Sequence, residues 1–494
     1  MPDQPRRPNI LLIMADQLSA LAISPYGNPD VQTPNLQALA ERGVVFQHSY
    51  CNFPLCAPSR ASMVTGQLCS KLANYDNDCE LPASIPTFLH HLRLAGYETL
   101  LSGKMHFVGP DQLHGFDRRL TTDIYDADFS TLKSWEHAGD PPRIMPLPND
   151  PESAARYQPG VYGMAISLKK AGPVDWSQQL EYDEEVHFRA MEQLRVFGQR
   201  RGTSADRPWF FGVSFTHPHD PPFITAEYWN RYAGVNFAMP AEPPVGHVPH
   251  VSDLWTNSYH GIDAIGMTDE DVYRSRRGYY AMTSYFDDKV GELVKEVNRL
   301  GMGDDTIVIV TSDHGDMLGE HWIINKGPFH FEGLLRIPTI WSWPGHFEEG
   351  VVSSALTNQL DFAPTVLDLA GVPIPEGIAS DPPQAPRQLP PWPGSSLAPL
   401  LTGQSAAVHD QLLVENDEDY LGLRLRTLIT ADFQITAYPG QPYGELFDRR
   451  EDPLQLHNVW NAPGYQTVKQ ELLVRLMEEI VRTDNVLPRR TSHA

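Results

Sequence analysis

The chain has 494 residues, 41% hydrophobic and 20% charged, a globular balance with material for one large domain plus an appendage. Its formal net charge of −24 repels phosphate backbones and anionic lipid. Nucleic acid and membrane are therefore poor partners, and an anionic substrate needs a local cationic pocket. Cys51, Cys56, Cys69 and Cys79 are too sparse for a disulfide framework and lack the CxxC spacing of a zinc site.

In chain order, Arg6 and Arg7 precede a short apolar run, Ile10 to Ala15. Asp16 interrupts it and no small-residue cleavage site follows, so it does not read as a signal peptide. No apolar stretch approaches the ~20 residues of a membrane-spanning helix. A soluble, cytoplasmic protein is expected.

Asn9 to Ala15 reads instead as a buried strand. Thr33 and Pro34 start a helix that Gly43 ends, with Thr33 as its cap. Ser84 and Pro86 start another, which ends before Gly96, and Tyr97 to Ser102 follows as a strand. Trp209 to Thr216 and Thr306 to Ser312 are nearly continuous apolar strands, as in a mostly parallel sheet covered by helices. Thr268 to Leu300 is a long helix with an acidic first turn. A proline-rich connector, residues 372–394, separates the catalytic part (8–371) from a smaller C-terminal part (395–485) and a basic tail (486–494). The C-terminal part reads as strands Leu412 to Glu415, Leu421 to Thr430 and Phe433 to Ala437, then a helix from Tyr465 to Arg482.

Polar residues follow each apolar strand: Asp16, then Lys104 and His106, then His217 and His219, then Asp313 and His314. Ligands bind beyond the carboxyl ends of strands in open α/β sheets, so these residues should converge on one site. Cys56, in PLCAPSRASMVTG, stands at or just before a helix N-terminus, where backbone N–H groups and the helix dipole lower a thiol pKa.

The Cys56-Ala57-Pro58-Ser59-Arg60 run resembles the signature of type I, formylglycine-dependent sulfatases of the alkaline phosphatase superfamily. The resemblance spans Pro8 to about Gly371 and includes GELFDRREDPLQLHNV near the C-terminus. It implies an alkaline-phosphatase-like α/β fold, with a large, mostly parallel mixed sheet flanked by helices and a smaller C-terminal α+β subdomain. It also implies that Cys56 is oxidised to 3-oxoalanine (formylglycine) by the formylglycine-generating enzyme. The hydrated aldehyde carries two hydroxyls on one carbon: one attacks sulfur, and deprotonation of the other expels sulfate.

By the same resemblance, Asp16, Asp313, His314 and the oxygen at position 56 hold one divalent ion. Carboxylates and an imidazole suit Mn²⁺, Mg²⁺ or Ca²⁺. Many relatives carry paired aspartates after the first strand and Asp-Asn at the later position; Ala15-Asp16 and Asp313-His314 stand here, as in the choline sulfatase and phosphonate monoester hydrolase branch. Arg60 is implied to brace the formylglycine hydrate, Lys104 to bind sulfate oxygens and His106 to act as base. His217 and Lys326 would contact sulfate and the leaving oxygen, and Asn77 would donate to a sulfate oxygen. His217 fills its slot alone, which leaves His219 outside the site, as His321 and His330 are also expected to be.

SGKMHFVGPDQLHGFDRRLTTDIYDADF, FTHPHDPP and SDHGDMLGE resemble choline sulfatases most closely. A small organic sulfate monoester is the implied substrate, choline O-sulfate first among the candidates. An aryl sulfate comes next, then a phosphonate monoester or phosphodiester, which Lys104 and His106 argue against. Recognition of a trimethylammonium group calls for aromatic rings and a carboxylate. The segment where the family places a tryptophan holds Ser130, Thr131 and Leu132, with Trp135 the nearest indole, and Glu415 is the candidate carboxylate. Tails like 486–494 make oligomer contacts in relatives, so a homo-oligomer, dimer or tetramer, is expected.

Overall fold

The computed structural model describes residues 7–125, 168–241, 248–374, 392–417 and 424–483. Most of the connector, Trp135 and the basic tail lie outside these residues. The main sheet has eight strands: β1 (Asn9–Ala15), β2 (Val44–Tyr50), β3 (Glu98–Gly103), β4 (Arg118–Arg119), β5 (Trp209–Ser214), β6 (Thr306–Ser312), β7 (Thr339–Ser342) and β8 (Val351–Asn358). Their spatial order is β8-β2-β7-β6-β1-β5-β3-β4, and β7 alone runs antiparallel to its neighbours.

The main helices are α1 (Pro34–Ala40), α2 (Cys56–Thr65), α3 (Phe88–Leu94), α4 (Gln178–Arg200), α5 (Val251–His260), α6 (Asp269–Arg299), α7 (Phe362–Leu369) and α8 (Gln466–Arg482). β1 shows why its sequence is continuously apolar. Leu11, Ile13 and Ala15 pack into the core shared with α4 and α6. Ile10, Leu12 and Met14 pack into the opposite core with α2, α3 and α7. Each such side chain gains about 1.5–3 kcal/mol on burial.

Local capping departs from expectation twice. The Thr33 hydroxyl accepts from Ser24 N–H instead of capping α1. The free N–H groups of Asn35 and Leu36 donate to Asp287 of α6 instead, at 3.1 and 2.7 Å. The helix expected from Ser84 and Pro86 begins at Phe88, where Thr87 and His90 form a reciprocal capping box.

The C-terminal strands β9 (Gln411–Asn416), β10 (Leu425–Thr430), β11 (Phe433–Ala437) and β12 (Gly444–Asp448) form an antiparallel sheet in sequential order, and α8 packs on it.

Candidate active site

Four parallel strands, β6, β1, β5 and β3, lie side by side, so their carboxyl ends share one edge. Register aligns Ala15 with Ser312 and Gly103 with Ser214, which sets Asp16 beside Asp313 and carries Lys104 to the same edge. Gly103 is required there. Its φ is +113°, and a Cβ would lie 1.9 Å from the Ser214 carbonyl oxygen.

α2 begins at Cys56 and ends at Gly66 in the left-handed conformation, with all ten of its residues buried. The Cys56 sulfur lies 3.7 Å from Asp16 Oδ1, 3.2 Å from His314 Nε2 and 3.1 Å from Lys326 Nζ. One ligand atom each from Asp16, Cys56, Asp313 and His314 falls within 4.8 Å of the others. His314 Nδ1 is 2.9 Å from the Gly315 carbonyl, which can only accept, so the ring proton sits on Nδ1 and Nε2 presents a lone pair to the cluster. Two carboxylates and an imidazole lone pair fit a hard or borderline divalent cation.

Cations surround these donors. Arg60, fully buried, places Nε 2.8 Å from Asp313 Oδ2 and Nη2 3.1 Å from Asp16 Oδ2. Lys104 Nζ is 2.6 Å from the same Asp16 oxygen. Against burial and the neighbouring thiol, Lys104, His219 and Arg60 draw the Asp16 carboxyl down to about 2. Burial alone would raise the Cys56 thiol; Lys326, Lys104 and His314 bring it well below its usual value.

Several expected residues take other places. Arg60 braces the two ligand carboxylates, and its Nη1 donates to the Lys104 carbonyl and Ser214 Oγ (2.9 Å); it makes no hydrogen bond to Cys56. His106 stands near Cys56, where it helps to lower the thiol, and its ring lies against Tyr125. The His217 side chain makes none of this cluster's hydrogen bonds. Its Nδ1 is 2.6 Å from Asp183 Oδ2 and its ring packs on Tyr285. His219 stands beside the cluster: its Nε2 is 2.9 Å from Lys326 Nζ and its Nδ1 meets the Asp220 carbonyl at 2.7 Å. Two histidines in FTHPHDPP were the visible signal, and the spacing could not choose between them.

Asn77 accepts the Ala57 N–H through Oδ1 at 3.0 Å, which caps the start of α2 and leaves its amide nitrogen as the donor. Glu415 is buried in β9, accepts the Ser70 N–H and sits 3.5 Å from Arg426. It is thus an internally paired acid, not an open carboxylate awaiting a cation. His321 bonds the Leu454 carbonyl and His330 meets Thr427, both toward the C-terminal part. Gln17 was missed. It turns at φ +63°, its Oε1 accepts from Lys326 Nζ at 2.8 Å, and its Nε2 donates to Asp316 at 2.6 Å. It holds the lysine over the sulfur in place of a second carboxylate.

A family profile described as Sulfatase matches residues 8–372, and one described as N-sulphoglucosamine sulphohydrolase, C-terminal, matches residues 319–482. The chain is 40% identical over 463 residues to a choline-sulfatase of Rhizobium meliloti (strain 1021), which covers 92% of this chain and 83% of that one. It is 28% identical over 517 residues to an N-acetylglucosamine-6-O-sulfatase of Bacteroides thetaiotaomicron, with 97% and 87% covered. Among solved structures, the phosphonate monoester hydrolase of Agrobacterium radiobacter superposes with a TM-score of 0.72 at 25% identity, with 97% and 96% covered.

Proposed function

The chain belongs to the sulfatase family and hydrolyses sulfuric esters, and we propose that it does so through Cys56 oxidised to formylglycine, beside one divalent ion held by Asp16, Asp313, His314 and the modified residue. The observation that carries this reading is the buried cluster of those four ligand atoms, flanked by the ammonium groups of Lys104 and Lys326. The modified side chain would supply a geminal diol as nucleophile, and a divalent ion held by Asp16, Asp313 and His314 would lower the pKa of that diol.

The remaining work falls to the chain's own residues. Lys104 and Lys326, with the Asn77 amide, hold the sulfate oxygens and offset their negative charge. His106 takes a proton from position 56. His219 holds its Nδ1 proton on the Asp220 carbonyl and presents Nε2 to the Lys326 ammonium at 2.9 Å, so it passes a proton from the lysine to the departing alcohol. Arg60 orients both ligand carboxylates and offsets their charge.

Choline O-sulfate is the proposed substrate, supported by 40% identity to a choline-sulfatase over most of both chains. Maturation by the formylglycine-generating enzyme and assembly as a homo-oligomer complete the reading. Cys51, Cys69 and Cys79 form no disulfide, and a cytoplasmic setting is part of the same proposal. No described helix is long and apolar enough to cross a membrane.

The test is kcat/KM for choline O-sulfate, a simple aryl sulfate and a phosphonate monoester, with Cys56→Ala as blank. The enzyme is co-produced with the formylglycine-generating enzyme, and the mass of the residue-56 peptide is checked. Choline O-sulfate should lead. A lead for the aryl ester would make the choline likeness ancestry alone, and a lead for the phosphonate would overturn the roles given to Lys104 and His106.

A further inference from the structure

His106 holds its backbone at φ +56°, a left-handed conformation that a bulky residue adopts only when its surroundings enforce it. The enforcing group is Asp123. Its Oδ2 accepts the N–H groups of Met105 and His106, each at 3.0 Å, and is 3.1 Å from Arg119 Nη2. Its Oδ1 accepts the N–H of Ile124 at 2.9 Å. Arg119 closes the other end of the same turn, because its Nη2 also donates to the Gly103 carbonyl at 3.0 Å. Arg119 Nη1 is tied to the Gln112 side chain at 2.9 Å. The carboxylate and guanidinium are 4% and 8% exposed, so water does not compete for these bonds. Two residues beyond Asp123, Tyr125 lies against the His106 ring and places its hydroxyl 3.3 Å from Lys104 Nζ. One short segment therefore fixes the turn and both of its functional side chains.

We propose that Asp123, braced by Arg119, is a positioning residue that aims His106 at position 56 by clamping the Met105 and His106 amides. This rests on the reading that His106 acts on the residue-56 side chain. Loss of the clamp frees the Met105 and His106 amides, so His106 can leave its left-handed conformation and the imidazole loses its alignment, while Lys104 stays held by its own N–H on the Ser214 carbonyl at 3.0 Å and its ammonium on Asp16 at 2.6 Å. The expected signature is a fall in kcat with KM nearly unchanged.

The experiment is a double-mutant cycle of Asp123→Asn with His106→Ala in the mature, metal-loaded enzyme, with melting temperature followed for each variant. Asp123→Asn should lower kcat about 10- to 100-fold in the wild-type background and less than about 3-fold in the His106→Ala background. An equal factor in both backgrounds is the behaviour of a merely structural residue and overturns the proposal. Full activity in His106→Ala would remove the reading of His106 and the positioning role together, so the two failures are distinguishable. Should Asp123→Asn not fold, Asp123→Glu serves in the same cycle, because it keeps the charge beside Arg119 and displaces both acceptor positions.

Discussion

Arg60 has no exposed surface, and its guanidinium spans two carboxylates that would otherwise repel each other across the metal cluster. A lysine carries one ammonium and does not reproduce this two-pronged span; Asp16 keeps Lys104, so Arg60→Lys leaves the buried Asp313 carboxylate without its guanidinium. Breaking a buried pair in this way costs about 3–5 kcal/mol. Melting of Arg60→Lys with and without Mn²⁺ should show a lower midpoint and a smaller gain from the ion; an unchanged midpoint would deny Arg60 this role. The two histidines of FTHPHDPP separate by the same reasoning. His219→Gln removes the group beside Lys326 and position 56, and general-acid loss is worth about 10²–10⁴-fold in rate. The loss should be larger for a poor alkyl leaving group than for an activated aryl ester, and an equal loss for both would exclude proton donation by His219. His217→Gln acts elsewhere. It weakens the buried partnership with Asp183, which also accepts from Thr216 N–H at 2.8 Å, so thermal stability should fall more than kcat.

The strand ends carry the site, and the element most exposed to a single change is the turn that leaves β3. Gly103→Ala sets a methyl 1.9 Å from the Ser214 carbonyl at a positive φ, so β3 and β5 must separate where Lys104 begins. Such strain is of order 1–3 kcal/mol, and denaturant melting should show it together with a loss of kcat. A variant with wild-type stability and rate would mean that the two strands part without cost. β1, β5 and β6 were legible in the sequence because both of their faces are buried, which makes the apolar run continuous. β2, β7 and β8 were not. β8 alternates exposure over its first half, β7 has four residues, and β2 mixes Gln47 and His48 into its run. The site obeyed the same logic. Asp16, Lys104, Asp313 and His314 were legible because topology alone gathers the residues at the carboxyl ends of parallel strands. Gln17 and His219 were not, since their orientation depends on the backbone path after the strand. Glu415 misled because its partners, Ser70 and Arg426, are distant from one another in sequence and meet it only in the fold.

At the scale of the whole molecule, a net charge of −24 surrounds a pocket lined by Arg60, Lys104 and Lys326. The far field repels an anion that the near field attracts, and salt screens the far field first, within about 8 Å at physiological ionic strength. For an anionic aryl sulfate, kcat/KM should therefore rise modestly with added salt, whereas a zwitterionic choline ester should respond weakly. Equal responses would show that the outer field does not steer encounter.

Stability has its own buried charge, at the contact between α5 and β12. Asp253 and Glu445 are both buried there, and among the described residues no lysine or arginine pairs with either. Glu445 accepts the Tyr438 hydroxyl at 2.7 Å, Asp253 accepts Ser252 Oγ at 3.3 Å, and His250 Nδ1 stands 3.9 Å from Glu445. Burial pushes both carboxyls up, with Glu445 adding repulsion at Asp253, and each reaches about 7 from ordinary values of 3.8 and 4.5. Burial holds the facing His250 below its own ordinary value, so it does not supply a compensating charge near neutrality. From about pH 4 to about pH 7 the native state then binds more protons than the unfolded chain, so stability falls as pH rises through that window and levels off above it. Glu445→Gln keeps the shape and removes the second charge. Its melting temperature relative to wild type should climb between about pH 5 and 7.5 and then stay flat, since the penalty it relieves is complete once the wild-type pair has ionised. A constant difference across that range would mean that burial and mutual repulsion do not raise these two carboxyls, and that they place no pH-dependent cost on the contact of α5 with β12.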